Sequence, residues 1–144
     1  MRYWDASALV PLIAREPRSE AANSLLSEDP RVVTWGWSVV EITSAIERRV
    51  RDRQLDRPGR RTALGRLSTL AAEWDEVVDT GRVRHRALQV LARHPLRAAD
   101  AGHLGAAMVV ADLSGTVVPF VCFDSRLGRA AELEGLDVFP PPRD

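Results

Sequence analysis

The sequence predicts an α/β fold, a parallel sheet with helices on both faces, and three observations carry that expectation. Short apolar runs such as "RYW", "RVVTW" and "VVPFVCF" alternate with segments whose apolar residues recur at helical spacing. No linker, repeat or low-complexity stretch divides the 144 residues, a length suited to one domain over 1–144. The 45% hydrophobic and 28% charged content fits an ordinary core beneath a solvated surface.

Taken in order, "RYW" is a first short strand and "SALVPLIARE" a helix starting near Ser7. Pro11 fits that helix only in its first turn, because it lacks the N–H that deeper positions need. "SEAANSLLSE" is a second helix with Ser19 as its expected cap, stopped by "DP". "RVVTW" is the next strand. "SVVEITSAIERRVRDRQL" is a long amphipathic helix whose apolar stripe is Val39, Ile42, Ile46 and Val50. "RPGRRTALGRLSTLAAEW" reads as a helix after a turn, and "EVVD" as a short strand. Two helices, "VRHRALQVLARH" and "AADAGHLGAAMVVADL", meet around Pro95. "VVPFVCF" is a buried strand, "DSRLGRAAELEG" a helix closed by Gly135, and "LDVF" a last strand before a Pro-rich tail from about residue 140, expected to lack order.

Composition excludes several classes. Twenty basic residues balance twenty acidic ones, so affinity for nucleic acid must come from local patches or bound cations. All twenty basic residues are arginine, which excludes any mechanism needing a lysine but leaves bidentate phosphate contacts available. The single cysteine, Cys122, allows no intrachain disulfide and no cysteine-rich zinc site, and suits the cytoplasm. "LGAAMVVADLSGTVVPFVCF" has the length of a membrane span, but Asp112, "LSG" and Pro119 divide it into a helix, a turn and a strand of a protein without a membrane segment.

Ligands in open α/β sheets bind at the carboxyl ends of the strands, where strand order reverses. Asp5 follows the first strand, Asp124 ends "VVPFVCF", and Glu41 lies in the first turn of the helix after "RVVTW". Asp100 opens the helix "DAGHLGAAM" on a stripe otherwise made by Leu104, Ala107, Met108 and Ala111. Each has an ordinary explanation. Glu41 completes a capping box with Ser38, Asp100 complements a helix dipole, Asp124 caps the helix that follows, and Asp5 is a turn residue. Their shared location at one sheet edge is what the ordinary explanations leave over.

Four carboxylates about 5 Å apart at an effective dielectric near 20 would repel by about 3 kcal/mol per pair. Over six pairs that is roughly 20 kcal/mol, more than the typical 5–15 kcal/mol net stability of a domain. Such a cluster needs protonation or a cation, and oxygen donors without His or Cys favour hard ions, Mg²⁺ or Mn²⁺. His85, His94 and His103 lack metal-site spacing, and His103, one turn beyond Asp100, reads first as a satisfied core or rim histidine and second as a residue lining the pocket. A receiver-domain site would need a lysine, and an aspartate-nucleophile phosphatase usually carries a second Asp where this chain has Ser7.

"YWDASALVPL", "VVEITSAIERR", "LRAADAGHLGAAM" and "VCFDSRLGRAAELEGLDVFPP" together resemble the blocks of PIN-domain ribonucleases, particularly VapC-type toxins of prokaryotic toxin–antitoxin pairs. The resemblance runs nearly end to end. It implies a three-layer α/β/α sandwich with a central parallel sheet that cuts RNA with Mg²⁺ or Mn²⁺, leaving 3′-hydroxyl and 5′-phosphate ends. Carried across, Asp5 and Asp100 would be metal ligands, and Glu41 and Asp124 would complete the site and position the attacking water. Ser7 matches the small hydroxyl residue that supports the first acid, while Ser125 and Arg126 could touch phosphate. It further implies inhibition by a cognate VapB-type antitoxin and a homodimer.

The Arg-rich stretch over 48–61 is either an RNA contact or a solvated helix face. Trp35 and Trp37 alternate across a strand end, with one expected in the core and the other free to stack a base or meet a partner; Trp4 and Trp74 read as core or rim. Two other functions stay open, a PIN-fold nuclease for structured nucleic acid or ribosomal precursors, and a non-catalytic module that holds RNA or protein.

Overall fold

The computed structural model describes residues 1–141. Five strands, β1 (Arg2–Trp4), β2 (Val32–Trp35), β3 (Asp75–Val77), β4 (Pro119–Val121) and β5 (Asp137–Phe139), form one sheet in the order β3-β2-β1-β4-β5. Every neighbouring pair is parallel, with Tyr3 opposite both Val33 and Phe120. Strand order reverses between β1 and β4. The Asp5 N–H donates to the Val121 carbonyl at 3.1 Å there, so the chain leaves β1 in direct contact with the end of β4.

Alternation along β1 separates two cores. Tyr3, with Val33 and Phe120, faces α5 (Thr80–Arg93), α6 (Ala98–Ser114) and α7 (Ser125–Leu133). Trp4, with Val32 and Val121, faces α1 (Ala6–Ile13), α2 (Ser19–Glu28), α3 (Ser38–Arg51) and α4 (Arg57–Ala71). Helices on both faces of a parallel sheet make the three-layer α/β/α sandwich expected from the alternation of patterns. Trp4 and Trp74 are both core, and Trp35 packs against the first core while remaining partly exposed.

Local chemistry corrects several element ends. Asp5 caps α1, so Pro11 lies in the second turn rather than the first; in a helix of eight residues that costs only one internal bond. Ser19 is not the cap of α2. Arg18 holds that position, while the Ser19 hydroxyl accepts from Glu16 N at 2.9 Å and donates to the Pro11 carbonyl at 2.7 Å, tying α2 to α1. The helix beginning at Ser38 ends at Arg51 because Arg53 turns left-handed at φ 57. Asp56, accepting from Gly59 N at 2.7 Å, then starts α4. Asp79, accepting from Arg82 N at 3.0 Å, starts α5 at Thr80, ahead of the Val83 that opens the periodic segment. Gly115, at φ 67, separates α6 from β4, and among the described residues no helix is long and apolar enough to cross a membrane. The expectation about the tail falls mostly on 142–144, outside the described residues.

Candidate active site at the carboxyl edge

Two of the acids are helix caps. Asp5 Oδ2 accepts from Ser7 N at 3.2 Å and Oδ1 from Ser7 Oγ at 2.8 Å. The same Ser7 hydroxyl accepts from Phe123 N at 2.9 Å, so one side chain bridges the ends of β1 and β4 and fixes Asp5 between them. Asp124 caps α7 by accepting from Leu127 N at 2.9 Å. Asp124 is the cap expected of it and Asp5 caps α1 rather than serving as a plain turn residue; neither role uses up the carboxylate, since an ionised carboxylate has about four acceptor sites.

Glu41 is not the partner of a capping box. Ser38 is buried inside α3 and shares a 2.7 Å hydrogen bond with Thr34, whose hydroxyl also reaches the Trp4 carbonyl at 2.7 Å, so Trp37 takes the cap position. Released from capping, the Glu41 carboxylate meets His103 Nε2 at 2.9 Å, and His103 Nδ1 lies 3.0 Å from the Tyr3 hydroxyl. A carboxylate only accepts, so Nε2 carries a proton, and in the neutral ring Nδ1 then accepts from Tyr3. His103 is 1% exposed, a satisfied core histidine as its pattern suggests, but its partner is one of the four acids.

Glu41, Asp100 and Asp124 line one cleft of about 490 Å³ together with Arg48, Arg97, Ala99, Ser125 and Arg126. Asp5, at 4% exposure, is buried and is not in that lining. Burial raises the pKa of Asp5 despite opposing help from His103 and Ser7. Asp100 is raised by burial first and then by the negative charge of Asp124, with a further contribution from Glu41. Asp124 and Glu41 thus lie close enough to Asp100 to act on it electrostatically. Ser7 supports Asp5, while Ser125 and Arg126 sit in the cleft wall.

Of the other two arginines in the cleft, Arg48 belongs to the Arg-rich stretch over 48–61, and Arg97 was not singled out by the sequence. Arg97 stands three residues before Asp100 at the start of α6, and Arg48 lies on α3 seven residues beyond Glu41. Among the described residues neither forms an ion pair, nor does Arg126, although carboxylates share the cleft with them. Elsewhere in the Arg-rich stretch, Arg49 pairs with Glu16 and Arg60 with Glu47, both at 2.5 Å.

The four acids offer oxygen donors alone, the donor chemistry that suits a hard divalent cation. As the side chains stand, among the described residues no three His, Cys, Asp or Glu groups converge tightly enough to hold an ion. Local donors meet three of the carboxylates instead, His103 at Glu41, Ser7 at Asp5 and Leu127 N at Asp124, while the raised pKa of Asp100 reflects burial and the charges of Asp124 and Glu41.

The PIN domain family model matches residues 2–133. The chain belongs to the PIN domain family. Two curated relatives from Mycobacterium tuberculosis are "Ribonuclease VapC45", of strain CDC 1551 / Oshkosh, and "Ribonuclease VapC49", of strain ATCC 25618 / H37Rv. Each is 29% identical over 149 residues, covering 99% of this chain and 96% of its own length. The PIN match spans β1 through α7 and therefore contains all four acids.

Proposed function

We propose that this PIN-domain protein is a divalent-metal-dependent endoribonuclease of the VapC type, the toxin of a toxin–antitoxin pair. The observation that carries the proposal is the gathering of Glu41, Asp100 and Asp124 in one cleft, beside the switch point where Asp5 leaves β1. Family membership and the ribonuclease names of the two relatives point the same way.

Asp5 and Asp100 would hold Mg²⁺ or Mn²⁺, with Glu41 and Asp124 completing the set directly or through water. When bound, such an ion supplies charge stabilisation to the phosphodiester and a competent nucleophile at neutral pH. The chain's own groups do the rest. Ser7 fixes the Asp5 carboxylate by two hydrogen bonds, and His103 fixes Glu41 by one. Arg48, Arg97 and Arg126 face the cleft without carboxylate partners and seat the phosphate backbone, where guanidinium groups are well matched to phosphate oxygens. Raised pKa values at Asp5 and Asp100 are the chemistry of a site that a cation completes, because positive charge favours the ionised carboxylates that burial disfavours. A VapB-type antitoxin would inhibit by covering this cleft, and a homodimer is the proposed assembly.

Purified protein should cut single-stranded RNA with Mg²⁺ or Mn²⁺ and stop with EDTA; equal cleavage in EDTA overturns the metal requirement. Asp100→Asn should lower cleavage by about a hundredfold or more. Mg²⁺ or Mn²⁺ should raise the melting temperature of the wild type more than that of Asp5→Asn, because it binds the folded site.

A further inference from the structure

Beside the acidic cleft lies a second cavity of about 480 Å³, whose walls include Trp35, Trp37, Val78, Arg84, Ala98 and Gly102. We propose that this pocket receives an unpaired nucleobase of the RNA whose backbone crosses the cleft, with Trp37 as the stacking surface. The inference rests on the ribonuclease reading and names its substrate class: a single strand whose bases are free to leave their stack.

The pocket and the cleft share the first turn of α6. Ala98 and Gly102 line the pocket, while Arg97, Ala99 and Asp100 line the cleft. They also share the start of α3, where the Trp37 carbonyl accepts from Glu41 N at 3.2 Å, so the indole leaves the backbone one turn from an acid of the cleft. A strand held with its phosphate at Arg97 has the pocket beside its next base.

The pocket wall is largely apolar. Trp35 is part of it, held edge-on against His103 with centroids 5.5 Å apart at 84°. That placement depends on Gly102, since a Cβ there would lie 2.5 Å from two atoms of the Trp35 ring. Trp37 and Val78 stand at the mouth, 55% and 73% exposed. Leaving an indole half in water at the start of a helix does nothing for the core, whereas an exposed aromatic face beside a cationic groove is what single-strand recognition uses. The charges agree. Arg84 lines the pocket and Arg97 the adjoining cleft, and among the described residues neither has a carboxylate partner, so the phosphates flanking a seated base meet unpaired guanidinium groups.

The test measures binding of a short mixed-sequence, fluorescein-labelled RNA by anisotropy in EDTA, alongside cleavage with Mn²⁺. Trp37→Ala should weaken single-strand binding by about 5- to 150-fold, the range of one aromatic–base stack, and Trp37→Phe should recover most of it. An abasic nucleotide stepped along the probe should weaken wild-type binding at one position and leave Trp37→Ala unaffected at all positions. If the wild type cuts RNA while Trp37→Ala binds and cuts as well as wild type, the pocket assignment is overturned and the ribonuclease reading stands. A wild type that neither binds nor cuts any RNA overturns both. Loss of affinity confined to an antitoxin protein, with RNA affinity unchanged, makes the pocket a protein-docking site and overturns the proposal.

Discussion

Glu41 Oε1 lies 2.9 Å from Nε2 of His103, a buried ring that also accepts from the Tyr3 hydroxyl, so an acid of the cleft is anchored through the core to β1. Burial, and then the charges of Asp5 and Glu41, push the Tyr3 phenol well above its ordinary pKa, which keeps it a neutral donor to the ring.

Breaking this chain should show non-additive energetics. His103→Ala leaves the buried Tyr3 hydroxyl without its partner, a penalty of about 1–3 kcal/mol before any cavity cost. Tyr3→Phe leaves Nδ1 of His103 without its donor and should cost a similar amount. The double variant orphans neither group, so its loss in urea unfolding should be smaller than the sum of the two. Strict additivity would mean that the two side chains are not coupled.

The pH dependence of stability follows from Asp100. Its folded pKa is raised, by burial first and then by Asp124, so the folded state binds more protons than the unfolded chain wherever the two differ. Ionised Asp100 therefore destabilises the fold above its folded pKa, and the penalty disappears as pH falls towards the unfolded value of about 4. Asp100→Asn removes it at every pH. Without metal, the variant's stability advantage over wild type should grow as pH rises from about 4 to 7. Chemical denaturation across that range measures it, and a gap that shrinks with rising pH would reverse the sign. Asp29, Glu47 and Glu134, held below their ordinary values by the N-terminal ammonium, Arg60 and Arg93, act in the opposite direction but equally in both proteins.

The layer architecture, the strand order's consequences and three of the cleft acids were legible because apolar periodicity and turn residues act locally. Strands such as β4 are shorter than the apolar run that marks them, because Val117 and Val118 lie before the ladder and Cys122 and Phe123 after it. What the sequence hid is long-range. Ser38 matches a capping box by spacing, yet Thr34 draws its hydroxyl into the core and Glu41 finds His103, 62 residues away. Arg97 and Arg48 join the cleft only once α3 and α6 meet at the sheet edge, and Asp5 proves to lie behind that cleft rather than in its wall.

Asp124 has two jobs that substitution separates. Asn keeps an acceptor for Leu127 N and removes the charge, whereas Ala removes both. Asp124→Asn should retain wild-type stability and lose cleavage, while Asp124→Ala should in addition lose about 1 kcal/mol through the uncapped α7. Thermal melts with parallel cleavage assays distinguish them; full activity in Asp124→Asn would leave Asp124 a cap alone.

Two helical glycines should respond to alanine with opposite signs. Gly65 lies inside α4 with nothing within 4 Å of the position a methyl group would take, so Gly65→Ala should stabilise by about 0.5–1 kcal/mol through lower backbone entropy in the unfolded chain and better helix propensity. Gly105 lies in α6 against the backbone of α5, where a Cβ would come 2.8 Å from the Val83 carbonyl oxygen and 2.9 Å from Ala87 N. Those are main-chain atoms of a packed helix and have no rotamer to change. Gly105→Ala should therefore push the two helices apart at a cost of about 1–3 kcal/mol, which exceeds the propensity gain. Because α6 carries Asp100, His103 and Gly102, the displacement should also reduce cleavage. Urea midpoints of the two variants should shift in opposite directions, and a stabilised Gly105→Ala would mean that α5 and α6 pack less tightly than this contact requires.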